Sequence, residues 1–371
     1  MTKLLIVDDS ALMRKLLGQV FSAEPDVEVR FARNGVGALE FLQSFEPDVI
    51  TLDVHMPQMD GLTCLDRIMI EHPCPVVMLS SLTSEGADAT LEAFRLGAVD
   101  FVAKPSGALS LRLDEFIPEL RQKVRSAIRA KLSTSLRLRE RVRHRIGRPA
   151  SSVDRHTIGR RTGSQIASGF ENIEGLVLIG TSTGGPPALE EVLTALPAAF
   201  PWPVVVAQHM PASFTGALAK RLDQLCAVSV TEVVQPTSLQ AGCVYIGRGD
   251  GDIVVSRKAT GLVAMPVPSL EDYLWHPSVD RLVRSAMEHI APTLLVGVLM
   301  TGMGRDGAEA MALLRTEGGR TIAEAEESAV VWGMPGELVR MGGANWVLPL
   351  SSISGHLERL LVSHAADPQN P

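Results

Sequence analysis

Short apolar runs that each end in a polar side chain and then give way to a helical pattern are the feature that most constrains this fold. In the first third of the chain the runs are Leu4–Val7, Val49–Leu52, Val76–Leu79 and Phe101–Ala103, with helical patterns such as Ala11–Phe21 and Gly37–Leu42 between them. Uninterrupted apolar runs fit strands buried on both faces, and intervening helices let such strands lie parallel. The pattern returns after residue 172 at Gly175–Ile179, Val204–Ala207, Val244–Ile246, Ile253–Val255 and Leu294–Met300. The fold class expected is α/β twice over, each half doubly wound. In the second half the sheet is expected to be mostly parallel, with a β-hairpin over Val244–Ser256.

Between the halves the charge changes sign. Residues 121–161 hold 14 Lys/Arg and 2 acidic residues, a local +12 in a chain of net charge −7, which leaves −19 for the rest. At ~150 residues per domain, 371 residues suit two or three domains. The expected division is a domain over 1–121, a basic linker over 122–172, a second domain over 173–362 and a flexible tail over 363–371. Apolar residues at Leu120, Val124, Ile128, Leu132 and Leu136 suggest that the first domain's last helix continues outward. A basic belt also suits a regulator that binds nucleic acid, but residues 121–161 contain no Phe, Tyr or Trp and no recognition-helix module follows. Four cysteines without C-x-x-C spacing exclude a disulfide scaffold and argue against structural zinc. The N-terminus lacks a signal-peptide pattern, and no run approaches the ~20 apolar residues of a membrane span. A cytoplasmic protein without membrane insertion is expected.

Polar residues at strand ends carry the chemistry. Asp8 and Asp9 end the first run, Asp53 the second, and Ser80 and Lys104 follow the third and fourth. Carboxyl ends of parallel strands share one edge, so three carboxylates can converge there. Such a cluster needs a cation, and oxygen ligands with water suit Mg²⁺. Ser80 and Lys104 would orient and neutralise a phosphoryl group transferred to Asp53. Taken singly, Asp8 and Asp9 equally suit a helix cap and a first-turn acid before Ala11.

In the second half, Gly180-Thr-Ser182-Thr-Gly184 is a G-x-S-x-G turn between a strand and a helix. Such a turn can expose a nucleophilic serine; it can also bind phosphate, or Ser182 can simply cap the helix. His209 follows Val204–Ala207 and Asp306 follows Leu294–Met300. A serine, a histidine and an aspartate at three strand ends can meet as nucleophile, base and orienting carboxylate. Their order, Ser…His…Asp, differs from that of α/β-hydrolases. His276, beside Pro277, suits a structural role. A nucleotide-binding module built on Gly184-Gly185 is a rival that leaves His209 and Asp306 unexplained.

Asp8-Asp9, Asp53-Val-His-Met-Pro-Gln-Met-Asp-Gly61, Ser80-Ser81 and Lys104-Pro105 together resemble the receiver domain of bacterial response regulators. The resemblance implies a five-stranded parallel sheet and phosphorylation of Asp53 by a chemotaxis histidine kinase. It implies Mg²⁺ held by Asp9, Asp53 and the backbone carbonyl of His55, with Asp8 acting through water. Phe101 falls at the aromatic switch position. The second half resembles the catalytic domain of chemotaxis protein-glutamate methylesterases, through Ile179–Gly185, Gln208-His-Met210, Pro277-Ser-Val-Asp280, Thr301–Gly307 and Gly333-Met-Pro335. It implies Ser182, His209 and Asp306 as a triad, and a backbone N–H of the Met303 loop at the oxyanion. The implied substrates are glutamate γ-methyl esters, and glutamine amides, of methyl-accepting chemoreceptors. No cofactor is implied for the esterase chemistry. The resemblance also implies that the unphosphorylated receiver blocks the catalytic edge. Two departures touch the site's surroundings: Gly247–Asp252 lacks an expected histidine, and Ala323-Glu324-Ala-Glu-Glu stands for an expected Gln-Asp-Glu.

Overall fold

The computed structural model describes residues 1–105, 113–132, 174–259 and 261–366. In the N-terminal domain, strands and helices alternate: β1 (Thr2–Val7), α1 (Ala11–Ser22), β2 (Val27–Ala32), α2 (Gly35–Ser44), β3 (Val49–Asp53), α3 (Gly61–Glu71), β4 (Val76–Ser80), α4 (Ser84–Leu96), β5 (Asp100–Ala103) and α5 (Leu113–Ile128). The strands form one parallel sheet in the order β2-β1-β3-β4-β5. Leu4 to Val7 and the whole of β3 and β4 are buried, as strands sandwiched between helices must be. Side-chain caps start the helices. Ser10 accepts from Met13 N, and Asp60 from Thr63 N. The cap of α1 is therefore Ser10, which leaves Asp8 and Asp9 free for the sheet edge.

The C-terminal domain comprises β6 (Leu176–Thr181), α6 (Gly185–Thr194), β7 (Val204–Gln208), α7 (Ala212–Leu225), β8 (Ser229–Val233), β9 (Thr237–Ser238), β10 (Cys243–Gly247), β11 (Gly251–Lys258), β12 (Gly261–Pro268), α8 (Val279–His289), β13 (Leu295–Leu299), α9 (Ala308–Thr316), β14 (Arg320–Glu324), α10 (Met334–Arg340), β15 (Trp346–Leu348) and α11 (Leu350–Ala366). Seven strands pair in parallel in the order β15-β14-β13-β6-β7-β10-β8. The chain winds from β6 to one side and later returns to the other, so β6 marks the switch point where a crevice opens at the strands' carboxyl ends.

Three expectations need correction. The hairpin is not Val244–Ser256: β10 already has β7 and β8 on its two edges, so β11 pairs antiparallel with β12 in a separate sheet with β9. The first domain's last helix does continue past residue 121, but only to Ile128, so residues 122–128 are helix rather than linker. Leu132 lies beyond it, and Leu136 with most of the 122–172 stretch falls outside the described residues. The tail is shorter than expected, because α11 carries its buried Ile353, Leu357 and Leu361 and runs on to Ala366.

The two domains touch near the carboxyl ends of the larger sheet's strands. The Phe101 ring of β5 lies 4.4 Å from that of Phe214 on α7. Thr183 Oγ1 donates to Asp100 Oδ2 at 2.5 Å. Lys131 N donates to Val330 O at 3.0 Å. No helix among the described residues is long and apolar enough to cross a membrane.

Candidate active site

Strand register assembles the N-terminal cluster. Asp8 follows β1 and Asp53 ends the adjacent β3, which brings oxygens of Asp8, Asp9 and Asp53 within 4.8 Å of one another. Asp8 and Asp53 are buried, while Asp9 faces solvent. Lys104, just past β5, reaches across to Asp8 Oδ2 at 2.8 Å and Asp53 Oδ2 at 2.7 Å. Burial pushes the Asp53 carboxyl above the usual range and the Asp8 charge adds to this, while Lys104 pulls the other way. Burial alone would discharge Lys104, but the two carboxylates outweigh it and raise its pKa. His55 enters through its backbone, whose N–H donates to Asp53 Oδ1 at 3.4 Å. Ser80 stands at the expected strand end, but its hydroxyl donates to Gly86 O at 3.0 Å rather than toward Asp53. Phe101 is buried, edge-on to Phe94, with Lys123 Nζ 4.8 Å from its ring centroid.

The second cluster lies at the switch point of the larger sheet. Thr181 and Gln208 are register partners on β6 and β7, strands about 5 Å apart, so the residues that follow them, Ser182 and His209, leave the sheet side by side. Gln208 Nε2 donates to the carbonyls of both Ser182 and His209 at 3.0 Å and ties the two strand ends together. Ser182 N donates to Thr301 O just past β13. Gly302 allows this approach, since a Cβ there would stand 2.8 Å from Ser182 Cβ.

Asp306 Oδ2 lies 2.8 Å from His209 Nε2. An ionised carboxylate only accepts, so the ring proton belongs on Nε2 and Nδ1 carries the lone pair. That Nδ1 is buried and has no hydrogen-bond partner. Asp306 is itself held by the start of α8: Val279 N at 2.7 Å, with Asp280 N and Ser278 Oγ each at 3.0 Å. Burial would raise the Asp306 pKa, but the hydrogen bond and charge of His209 and these N–H groups hold it below the usual range. Asp280 is shifted upward, by burial and then by the Asp306 charge. Met303 lies in the loop between β13 and Asp306.

Several residues to which the sequence assigned no role belong to this cluster. Trp275 lies nearly parallel to the His209 ring, with centroids 6.1 Å apart. Glu324, fully buried at the end of β14, accepts from Thr301 N at 2.7 Å and Ser328 Oγ at 2.9 Å. Burial pushes its carboxyl up to about 7. Buried Asp252 accepts from Ser278 N at 2.6 Å, pairs with Arg281 at 2.7 Å and lies 2.9 Å from His276 Nδ1. Ser278 and Asp280 stand in the Pro277–Asp280 motif, yet nothing local in that motif announces its contact with Asp306.

A model described as the CheB methylesterase matches residues 177–357, and one described as the response regulator receiver domain matches residues 4–113. The chain is 57% identical over 367 residues to "Protein-glutamate methylesterase/protein-glutamine glutaminase 2" of Rhodopseudomonas palustris, covering 99% of this chain and 100% of that one. It is 53% identical over 361 residues to "Protein-glutamate methylesterase/protein-glutamine glutaminase 3" of Rhodospirillum rubrum, covering 96% and 95%. A Vibrio cholerae relative, also named "Protein-glutamate methylesterase/protein-glutamine glutaminase 3", is 44% identical over 340 residues, covering 91% and 90%. Matches of this length and identity show that the chain belongs to the family of CheB methylesterases that carry a receiver domain.

Proposed function

We propose that this protein is a phosphorylation-controlled hydrolase that removes methyl esters from glutamates of methyl-accepting chemoreceptors and deamidates receptor glutamines. Ser182 attacks the γ-carbonyl carbon while His209 Nδ1 takes its proton. Asp306 holds the Nε2 proton and stabilises the imidazolium. The oxyanion forms beside the N-terminus of α6 and the Met303 loop, where backbone N–H groups lower its energy. The tetrahedral intermediate collapses, its C–O bond breaks, and Nδ1 returns the proton so that methanol leaves. A water molecule then adds to the acyl-serine with Nδ1 again as base, and glutamate and free Ser182 are restored. With an amide substrate the same steps release ammonia. Base catalysis of this kind contributes ~10²–10⁴-fold.

The observation that carries this reading is the imidazole of His209. Its Nε2 is fixed by a buried carboxylate, and its Nδ1 is buried without a partner. An unsatisfied buried acceptor is destabilising, and a site that moves protons explains its retention.

In the receiver, Asp53 is the proposed phosphoryl acceptor, with Lys104 as its counter-charge and Ser80 turning from Gly86 to the phosphoryl oxygen. Three carboxylates within 4.8 Å served by one lysine retain excess negative charge, and an all-oxygen donor set suits Mg²⁺. Asp9, Asp53 and the His55 carbonyl would hold the ion, with Asp8 through water. Bound there, it would neutralise charge on the phosphoryl oxygens. A histidine kinase is the proposed donor, the cytoplasm the proposed compartment and nucleic acid no partner. The contacts of Asp100 and Phe101 with Thr183 and Phe214 support a resting receiver that restrains the catalytic edge.

A fluorophosphonate probe, which reacts only with an activated serine, tests the site. The peptide containing Ser182 should be labelled in the wild type and unlabelled in Ser182→Ala. Labelling should also be nearly lost in His209→Ala. Equal labelling of Ser182→Ala would remove this residue as nucleophile.

A further inference from the structure

Residues 269–276, between β12 and α8, form a loop fastened at its base and open at its tip. Arg281 Nη1 donates to Pro268 O at 2.6 Å on one side of the base and to Asp252 Oδ2 at 2.7 Å on the other. The second oxygen of Asp252 binds His276 Nδ1 and Ser278 N. Within the loop, Tyr273 N donates to Leu270 O at 3.0 Å. The tip nevertheless shows water two leucines, Leu270 at 45% exposed and Leu274 at 78%. Trp275 faces the other way, toward the His209 ring. Gly304, at φ +85°, lets the indole approach the Met303 loop, since a Cβ there would stand 2.9 Å from the ring.

Among the described residues, the loop thus sets an exposed apolar tip on a fastened base next to the His209 imidazole. Through Trp275 the loop stands beside the imidazole and the Met303 loop, so it flanks the place where a protein substrate would present its side-chain carbonyl. In acyl transfer the imidazole hands its proton to the leaving atom, so the leaving group sits beside the His209 ring, where Trp275 supplies an apolar wall. A methoxyl group gains contact with such a wall, and an amide nitrogen gains little.

We propose that residues 269–276 are the substrate-recognition loop, in which Leu270 and Leu274 dock on an apolar patch of the receptor beside the ester and Trp275 seats the departing methoxyl group. This rests on the methylesterase reading above. The test uses the full-length chain, methylated receptor membranes and fluorophosphonate labelling. Leu274→Asp should raise KM for methanol release about tenfold, the loss expected when one apolar contact is replaced by a charge. Its kcat and labelling rate should stay within about twofold of wild type. Leu313→Asp, an exposed position on α9, should leave KM unchanged. Trp275→Ala should lower the ratio of ester to amide kcat/KM about tenfold, in the range a methyl-sized contact supplies. An unchanged KM in Leu274→Asp overturns the docking role, as does a fall in its kcat and labelling together. An unchanged ester-to-amide ratio in Trp275→Ala overturns the methoxyl seat. A wild type labelled at Ser182 that releases no methanol would instead sink the methylesterase reading, and this proposal with it.

Discussion

At the scale of single residues, the two nitrogens of His209 differ: Asp306 binds one and the other is buried without a partner, which suits the proposed base. The carboxylate is surrounded by donors: Val279 N, Asp280 N and Ser278 Oγ. An amide whose NH₂ took the place of Oδ2 would face Nε2 and draw the ring proton to Nδ1; turned the other way, it would face the Asp280 N–H donor. Asp306→Asn should therefore lower kcat by about 10³–10⁴-fold, the scale of such a tautomer error in other triads. Steady-state methanol release measures this, and a loss below about tenfold would contradict the role given to Asp306. Glu324 makes a pH prediction. Its carboxyl is raised from 4.5 to about 7 in the fold. Between those values the folded state holds a proton that the unfolded chain releases. Its contribution to stability is therefore complete below about pH 4.5 and is lost as pH rises through about 7. Glu324→Gln keeps an acceptor for Thr301 N without the charge. Its Tm relative to wild type should climb between about pH 5 and pH 8, as thermal unfolding at several pH values would show. A constant difference would contradict it.

At the scale of elements, parallel strands place each polar residue at one edge, and turns bring the strand ends together. Gly302 is one of these joints: a Cβ there would meet Met334 Sδ at 2.4 Å and Ser182 Cβ at 2.8 Å. The methionine can swing away, but the serine cannot move without leaving its register. Gly302→Ala should lower kcat about 10²-fold, the scale of a 1 Å misplacement, with a smaller effect on Tm. Kinetics and thermal unfolding on one preparation decide this, and unchanged kcat would contradict it. The legibility of elements follows their burial. Strands β1, β3, β4, β6, β7 and β13 are buried along most of their length and read directly as apolar runs. Strand β2 carries Glu28 and Arg30 at the sheet's edge, half in water, and gave no such run. Strand β15 has three residues and also lies at an edge. The hairpin was misplaced by one strand because Val244–Ile246 and Ile253–Val255 look alike in sequence, and only the two neighbours of β10 decide where each belongs. The placing of Ser182, His209 and Asp306 at one sheet edge was readable because each follows a buried strand. Ser278, Asp252 and Trp275 were not, because their roles arise from tertiary contact.

At the scale of the whole molecule, the receiver meets the strand-end edge that carries Ser182 through the Asp100–Thr183 hydrogen bond, the Phe101–Phe214 ring contact and the Lys131–Val330 hydrogen bond, among others. Thr183, which binds Asp100, is the residue after Ser182. Lys123 reaches Asp100 at 3.3 Å and donates to Phe101 O at 2.6 Å. Burial opposes its charge, yet Asp100 and Glu119 outweigh burial and raise its pKa. A change at Asp53 that repositions Phe101 thus has a short physical route to the turn bearing Ser182. A cavity of about 460 Å³ remains between the domains, lined by Phe94, Leu132, Pro186, Leu218, Glu324 and Val330 among others, so the interface is only partly packed. A loosely packed, partly polar interface suits domains that separate. Sequence motifs identify both modules, but the interface depends on side chains that no single motif contains. The most direct measurement is methanol release from methylated receptor membranes by the wild type, Ser182→Ala and Asp53→Ala, each with and without a small-molecule phosphodonor. The account predicts release by the wild type that rises with phosphodonor, an unstimulated basal rate in Asp53→Ala, and none from Ser182→Ala under either condition. Turnover by Ser182→Ala, or full stimulation of Asp53→Ala, would contradict it.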